Sequence, residues 1–335
     1  MTSTVEVRRM AWTPDPPGRD VTDYSAGEIA SWLEGAEQRL VEEAFALGVT
    51  ADPDEARRAA RSRIEGFEPT DRLRAGLAWV RRDGQPPATL WWRDDQGPEG
   101  TTLRVDVMSP TRGWTPSEEM DRLVGHVIDS ARGRGADAVH WVTHPPDHGL
   151  GEALAAAGFR PSGTLMRLDL TRPADPGSVR LVAMTEQRFQ AYRDFSIADY
   201  AQELSVSGST SDEEALEESR RTFENLLPEG RATAGAHLFG AVADGVEGEL
   251  GFLWWSEDGP GTAWIFDIAV HEPHRGKGWG RGLLQAAHAD MASAEVGNVV
   301  LNVFGHNEPA ARLYASEGYR PVVVRWVLDL RGTHA

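Results

Sequence analysis

The sequence predicts an α/β fold, of the α+β layered kind, in two tandem domains that each combine a mixed, mostly antiparallel sheet with flanking helices. Runs with strand-like and helix-like spacing alternate along the whole chain. Several segments also recur in the same order at a separation of about 160 residues, which is the size of a domain. The 335 residues are enough for two domains of roughly 150 residues each.

The repeated segments delimit the two copies. ATLWWRDD (88–95) resembles GFLWWSED (251–258), and ALAAAGFRPSGTLMRLDL (153–170) resembles RLYASEGYRPVVVRWVLDL (312–330). Trp254 follows Trp91 by 163 residues, and Gly318 follows Gly158 by 160. A similar order at a steady offset indicates duplication of one fold.

The duplication predicts a first domain at residues 1–172 and a second at 179–335. Between them, at about 171–178, lies the polar segment TRPADPGS. Its two prolines are typical of a linker.

Each copy begins with a strand and two helices and continues with strands, among which further helices are interleaved. In the first copy, Asp52 is placed to cap the second helix, and apolar residues at helical spacing mark the others. The predicted strands are 4–10, 76–81, 88–93, 101–108, 138–142 and 163–170, and the predicted helices are 26–45, 53–66, 117–133 and 149–157.

The second copy repeats this order. Its predicted strands are 180–184, 235–242, 249–256, 262–270, 298–304 and 321–330, and its predicted helices are 186–204, 212–226, 280–293 and 307–317. Trp254 and Trp255 are adjacent on one strand, so their rings point to opposite faces. We expect one ring in the core, whereas the other could line a cleft.

Composition excludes several function classes. The chain has no cysteine, which removes disulfides, thiolate metal sites and a cysteine acyl-enzyme. The net charge of −18 argues against nucleic acid as a partner, while it suits either a cationic substrate or solubility alone. No apolar run reaches the length of a membrane span, and the first residues lack a secretory h-region, so we expect a cytoplasmic protein without membrane partners.

A metal site is not expected. His140, His144 and His148 are spaced by four, but Pro145 and Pro146 break any helix that would align them. No carboxylate ligands accompany these histidines in a suitable register.

The stretch from Ile265 to Gln285 combines a buried strand, a glycine-rich turn and the start of a helix. Glycines allow the backbone to approach a ligand, and the N-terminus of the helix attracts an anion. Lys277, the only lysine of the chain, lies in this turn. The alternative is a tight left-handed connection without a ligand.

Two further segments follow. LNVFGHN (301–307) is a strand that leads to Asn307, which could also be a helix N-cap. ARLYASEGY (311–319) is a helix that carries Tyr314 and ends at Gly318.

Together these segments resemble the GCN5-related N-acetyltransferase (GNAT) superfamily. Arg275, Gly278 and Gly280 fill its Q/R-x-x-G-x-G/A loop. The family's later segment, N-x-x-A-x-x-L-Y-x-x-x-G-F/Y, is filled by Asn307, Ala310, Leu313, Tyr314, Gly318 and Tyr319. The resemblance covers residues 179–335, and the first copy joins through the internal repeat.

The resemblance implies a V-shaped splay between two central parallel strands, about 262–270 and 298–304. It implies acetyl-CoA as acyl donor, with pantetheine in the splay and the pyrophosphate on the glycine-rich loop. The acetyl group would pass directly to an amine in a ternary complex, without a covalent enzyme intermediate. The residues that would bind the cofactor are Ile268, Ala269, Val270, Arg275, Gly276, Lys277, Gly278, Trp279, Gly280 and Asn307.

Tyr314 is the candidate general acid, because a phenol with a pKa of about 10 stays protonated at neutral pH. Packing on the inner face of its helix is the alternative. Asp267 is a candidate general base, yet a strand-end structural role is open too, since Asp106 occupies the matching place in the first copy. Glu203 and Glu272 are weaker candidates.

The first copy is interpreted as degenerate. Aligning 123–132 with 283–292 places Thr115 to Arg122 opposite the loop, where no glycine remains and Glu118, Glu119 and Asp121 would repel a pyrophosphate. Leu154 stands in the place of Tyr314. The acceptor would be a small-molecule or peptide amine, with acidic residues such as Asp199 favouring a cationic one. The chain would be a monomer, as an internal pseudo-dimer, or a homodimer.

Two alternatives remain. One is a non-catalytic protein that binds or senses acyl-CoA. The other is a tandem acetyltransferase similar to mycothiol synthase, to which the likeness is architectural.

Overall fold

The computed structural model describes residues 8–12, 26–47, 53–65, 74–80, 88–97, 100–109, 118–143, 149–170, 177–206, 212–257 and 261–331. The helices in these ranges are α1 (Ala26–Leu47), α2 (Pro53–Glu65), α3 (Glu118–Gly133), α4 (Leu150–Ala156), α5 (Glu186–Val206), α6 (Asp212–Leu226), α7 (Trp279–Ser293) and α8 (Glu308–Ser316). The strands are β1 (Arg8–Trp12), β2 (Arg74–Val80), β3 (Ala88–Gly97), β4 (Gly100–Ser109), β5 (Ala138–Thr143), β6 (Arg160–Asp169), β7 (Val179–Ala183), β8 (Ala236–Ala243), β9 (Gly251–Glu257), β10 (Thr262–Val270), β11 (Asn298–Phe304) and β12 (Arg320–Asp329).

These bounds confirm the predicted order of helices and strands in both copies, and most ends lie within about two residues of the prediction. Parts of several predictions lie outside the described residues: the start of the first strand at 4–7, the loop positions 115–117, His144 and His148, and the linker positions 171–176.

The chain divides into two compact units. Unit 1 comprises Met1–Ala46, Thr50–Thr164 and Val322–Ala335, and unit 2 comprises Leu47–Val49 and Leu165–Pro321. The domain limits 1–172 and 179–335 concern the order of the copies along the chain and stay a prediction. The compact units differ from these limits chiefly in β6 and β12.

The sheet of unit 1 has the order β1-β2-β3-β4-β5-β12. β4 and β5 are parallel, whereas β12 pairs antiparallel with β5, from Val324 opposite Thr143 to Asp329 opposite Ala138. The amide of Leu330 continues this edge by donating to the carbonyl of Asp137 at 2.8 Å. Within the described residues, one hydrophobic cluster combines α3, α4 and the strands, with Met120, Trp141 and Leu154 fully buried.

The sheet of unit 2 has the order β6-β11-β10-β9-β8-β7, with β10 and β11 parallel. The amide of Leu170, just after β6, donates to the carbonyl of Gly297 at 2.8 Å, which is the counterpart of the Leu330 bond in unit 1. The two faces of this sheet carry separate clusters. Trp255 packs with α7 on one face, and Trp254 packs with α5 and α6 on the other.

Both tryptophan rings are therefore core residues, with Trp254 only 2% exposed. The expectation that one of them might line a cleft is wrong, because the ring of Phe266 stacks on Trp254 at 4.7 Å. Phe266 itself is 39% exposed.

Candidate active site

The two parallel strands of unit 2 separate towards their carboxyl ends. β10 and β11 pair from Thr262 opposite Asn298 to Ile265 opposite Leu301, and the pairing stops there. β10 nevertheless continues to Val270 and β11 to Phe304. The predicted splay is therefore present, and the backbone of Ile268, Ala269 and Val270 lies beyond the part of β10 that pairs with β11.

A β-bulge occurs in β10 where the splay begins. Ile265 lies opposite Trp255 and Asp267 opposite Trp254, so Phe266 is an extra residue between them. Phe266 contacts Trp254, and the carboxyl group of Asp267 reaches α5, so both side chains lie on the face that α5 and α6 cover. A bulge can re-aim a side chain in this way, and bulges are frequent next to active sites.

The carboxyl group of Asp267 has two hydrogen-bond donors on α5. The hydroxyl of Ser196 donates to Oδ2 at 2.9 Å, and that of Tyr192 donates to the same oxygen at 3.1 Å. Burial raises the pKa of Asp267 from 3.8 to about 6, although both hydrogen bonds act to lower it. Asp267 therefore changes its charge close to neutral pH.

Tyr314 lies on α8, the helix that follows β11, and is 8% exposed. Burial, and next the negative charge of Asp267, raise the pKa of Tyr314 to about 12. The expected pKa of about 10 is thus too low, because the phenol is removed from water. The phenol keeps its proton over the whole neutral range.

A second buried tyrosine packs beside it. The rings of Tyr314 and Tyr319 are 5.7 Å apart, and the hydroxyl of Tyr319 is 2.9 Å from Nε2 of His288 on α7. Burial lowers the pKa of His288 to about 4, so this imidazole is neutral. The ring of Tyr314 is therefore held in a cluster whose polar groups are uncharged.

The glycine-rich loop joins a 3₁₀ turn at Glu272–His274 to α7. Gly276 and Gly278 have φ angles of 73° and 84°, the left-handed region that favours glycine, and a Cβ atom at either position would meet no atom within 4 Å. Gly278 is the N-cap of α7, and the first turn of this helix has no acidic residue. Open space thus lies above the start of a helix that attracts anions.

Three loop neighbours have defined positions. Nε of Arg275 donates to the carbonyl of Val270 at 2.9 Å, and Nζ of Lys277 donates to the carbonyl of Pro273 at 2.8 Å. Trp279 is the first residue of α7 and packs partly buried against the core. The loop therefore carries two exposed positive charges beside its glycines.

The later glycines allow close packing instead. A Cβ atom on Gly282 would lie 2.9 Å from Cγ2 of Val179, and one on Gly280 would lie 3.3 Å from Cδ2 of Leu313. These two glycines bring α7 close to β7 and α8.

Comparison with known proteins decides the family. The acetyltransferase (GNAT) family matches residues 198–319. The uncharacterized N-acetyltransferase YdgE of Bacillus subtilis (strain 168) is 33% identical over 147 residues, which are 42% of this chain and 92% of YdgE. The chain belongs to the GNAT family. It is therefore an acyltransferase.

Two further comparisons agree. YycN of Bacillus subtilis (strain 168), also an uncharacterized N-acetyltransferase, is 30% identical over 146 residues, or 43% of this chain and 93% of YycN. The structure of a GCN5-related N-acetyltransferase from Sphaerobacter thermophilus covers 98% of both chains with a TM-score of 0.54 at 18% identity. This likeness shows that the fold is shared along the whole length of the chain, including the first copy.

In this GNAT chain, the remaining candidate residues have other contacts. Oδ1 of Asn307 accepts a hydrogen bond from the amide of Ala310 at 3.2 Å, so Asn307 is the N-cap of α8, and its cofactor contact stays a prediction. Glu272 is exposed at the start of the 3₁₀ turn. Oε2 of Glu203 lies 2.6 Å from Nε2 of His306, after β11.

Sequence reasoning missed the role of α5. Tyr192, Ser196, Asp199 and Glu203 recur at helical spacing and lie on one face of α5. Tyr192 and Ser196 bind Asp267, and the charge of Asp199 raises the pKa of Asp267. The i, i+4 polar stripe was visible in the sequence, but its partner lies about 70 residues away in the chain.

The match between Asp106 and Asp267 is wrong. In unit 1 the bulge makes Asp106 the extra residue, between Val105 opposite Trp92 and Val107 opposite Trp91. Asp106 therefore corresponds to Phe266, and Val107 corresponds to Asp267. The alignment by a constant sequence offset was one residue out of register, because the β3–β4 and β9–β10 turns differ in length.

Among the residues that the structure describes, no helix is long and apolar enough to cross a bilayer. Nor do three or more metal-ligating side chains form a group within those ranges.

Proposed function

We propose that unit 2 transfers an acetyl group from acetyl-CoA to an amine, with Asp267 as general base and Tyr314 as general acid. The observation that carries this proposal is the position of these two groups on the elements that flank the splay of β10 and β11. Asp267 lies on β10 just beyond the paired part, Tyr314 lies on the helix after β11, and the charge of Asp267 raises the pKa of Tyr314.

The residues of unit 2 fit acetyl-CoA. The loop offers two glycines with left-handed φ angles and free space above them, and the positive charges of Arg275 and Lys277. The N-terminus of α7 has no side-chain cap, so its amide groups are available to an anion. The backbone of Ile268 to Val270 pairs with β9 but not with β11, so its β11 side could pair with the amide groups of pantetheine. Trp279, Gly280 and Asn307 complete the proposed cofactor site, which needs no metal.

Bound acetyl-CoA would supply an acetyl thioester. Asp267 is mostly ionised at pH 7, because its pKa is about 6, and can accept the proton of the acceptor amine. Tyr314 keeps its proton and can donate a hydrogen bond to the departing sulfur. Since its pKa of about 12 exceeds the thiol value of about 8.5, the phenol stabilises the sulfur chiefly as a hydrogen-bond donor.

Unit 1 would have no cofactor site. The positions aligned with the glycine-rich loop carry Glu118, Glu119 and Asp121, which disfavour a pyrophosphate. Leu154, in the place of Tyr314, is fully buried and cannot donate a proton. This supports one active site per chain, in unit 2.

Replacing Tyr314 with phenylalanine tests the proposal. We expect the Tyr314→Phe variant to lose about 10²–10⁴-fold in kcat, because the buried hydroxyl is removed, while its affinity for acetyl-CoA stays within a few-fold of wild type. The measurements are thiol release with a panel of amines and calorimetric binding of acetyl-CoA. Tyr319→Phe is the matched control, since it removes a buried hydroxyl that bonds to His288, and its kcat should change little.

Undiminished turnover in Tyr314→Phe would refute the role of Tyr314. Binding of acetyl-CoA without turnover of any amine by the wild type would instead favour a protein that senses acyl-CoA.

A further inference from the structure

The two donors to Asp267 lie one helical turn apart on α5. Tyr192 and Ser196 are separated by four residues, and their hydroxyl groups converge on the same oxygen, Oδ2. An ionised carboxylate can only accept, so both hydroxyls must donate to it. The direction of these two hydrogen bonds is therefore set whenever Asp267 is charged.

Both donors are fixed in place by packing. Ser196 is 3% exposed and Tyr192 is 6% exposed, and the ring of Tyr192 meets that of Phe252 at 5.0 Å in an edge-on contact. Burial raises the pKa of Tyr192 well above its ordinary value, so the phenol remains a donor at every working pH. Buried hydroxyls without partners cost free energy, and here Asp267 is the partner of both.

Burial and one nearby charge act on the pKa of Asp267 in the opposite sense. Asp199, one turn after Ser196 on α5, raises the pKa of Asp267 by its negative charge. Tyr314 on α8, whose pKa is raised by the charge of Asp267, is itself neutral. Burial and Asp199 thus favour the protonated carboxyl group, and the two hydrogen bonds from α5, with a third from the backbone amide of Ile268, oppose them.

We propose that Tyr192 and Ser196 are positioning residues for Asp267, whose hydrogen bonds keep its carboxyl group turned towards α5 and in the ionised form that accepts a proton from the amine. The bulge at Phe266 presents the carboxyl group to this helix. This inference rests on the proposed role of Asp267 as general base.

The pH profile of kcat/KM tests the inference. In the wild type, kcat/KM should fall about tenfold per unit below pH 6, as Asp267 becomes protonated. Removing a donor destabilises the anion, so Ser196→Ala and Tyr192→Phe should each move this acid limb upward by roughly one pH unit. At a pH well above the limb, each variant should recover to within a few-fold of wild type.

Ser219→Ala is the matched control. Ser219 is a fully buried serine on α6, and its hydroxyl donates to the carbonyl of Ile197 on α5 at 2.8 Å. This variant perturbs the packing of the same helices without touching Asp267, so its acid limb should stay at the wild-type pH.

Carbon-13 NMR of labelled aspartate carboxyl groups gives a readout that is independent of turnover. The Asp267→Asn variant identifies the signal of Asp267, which should titrate about one unit higher in Ser196→Ala than in wild type. An unshifted signal and an unshifted limb in both donor variants would overturn the inference. If the kcat/KM profile of Asp267→Asn lacked the acid limb in the same experiments, the role of Asp267 as base would stand.

If Asp267→Asn kept the wild-type limb, the proposed base would be wrong. The NMR titration alone would then decide the positioning, and an unchanged pKa of Asp267 in Ser196→Ala would overturn it.

Discussion

The parallel strand pairs of the two units differ in their chemistry, although their geometry is the same. β4 pairs with β5 from Thr102 to Val105, and β10 pairs with β11 from Thr262 to Ile265; each first strand then bulges by one residue against its other neighbour. The residue after the bulge is Val107 in unit 1 and Asp267 in unit 2. The splay and the bulge thus belong to the fold, whereas the acid occurs in unit 2.

A buried trio behind the strands differs in the same way. In unit 2 it is polar and contains a hydrogen bond between a histidine and a tyrosine; at the aligned positions of unit 1 it is apolar. The two sets are His288, Tyr319 and Tyr314 in unit 2 and Ile128, Phe159 and Leu154 in unit 1.

The helix that carries Tyr314 and the helix that carries Leu154 end in the same way. The amide of Tyr319 donates to the carbonyl of Tyr314, and that of Phe159 to the carbonyl of Leu154, each at 3.0 Å. Gly318 and Gly158 have φ angles of 94° and 92°. Since the fold forms with either trio, folding alone does not require the polar groups of unit 2, and we attribute the hydroxyl of Tyr314 to function.

The largest expected effect comes from making the loop of unit 2 resemble that of unit 1. In Gly278→Glu, a residue with a side chain must adopt a φ angle of 84°, and its charge matches that of Glu118 and repels phosphate. We expect the affinity for acetyl-CoA to fall by at least about 100-fold. Equilibrium binding of acetyl-CoA measures this loss.

Gly245→Glu is the matched control, because Gly245 also has a positive φ angle, 78°, and free space above it, but it lies in the turn between β8 and β9. The control should bind acetyl-CoA like the wild type. Equal affinities in the two variants would refute the loop assignment.

A smaller effect concerns the buried trio. Single variants His288→Ile and Tyr319→Phe each leave one buried polar group without its partner and should lower the free energy of unfolding by about 1–3 kcal/mol. The double variant reproduces the residues of unit 1 and should be nearly as stable as wild type. Urea unfolding of the four proteins measures the cycle.

If the double variant lost the sum of the two single losses, the polar pair would be a requirement of folding in unit 2. The apolar trio of unit 1 would then not show that folding of unit 2 can proceed without its polar groups.

The helices and strands could be predicted from the sequence, because the periodicity of apolar residues that marks them is local. The bounds of α7 and β11 agree with the predicted 280–293 and 298–304 to within one residue. The glycine-rich loop was equally visible, since positive φ angles at Gly276 and Gly278 follow from the residue type.

Long-range pairing could not be predicted in the same way. Alignment by offset made Asp106 the equivalent of Asp267, and only the register against β3 and β9 reveals the shift of one residue. The compact unit that contains β12 depends on antiparallel pairing with β5, which leaves no mark in the sequence. The pKa of Tyr314 depends on burial, and the donors Tyr192 and Ser196 depend on tertiary packing.

We propose that, of the two copies, the second alone binds the cofactor. Isothermal titration of the full chain with acetyl-CoA tests it most directly, because the number of sites is read from the curve itself. We expect one site per chain, and no measurable site in Gly278→Glu at the same concentrations. Two equivalent sites in the wild type, or one remaining site of full affinity in the variant, would contradict the assignment of the cofactor site to unit 2.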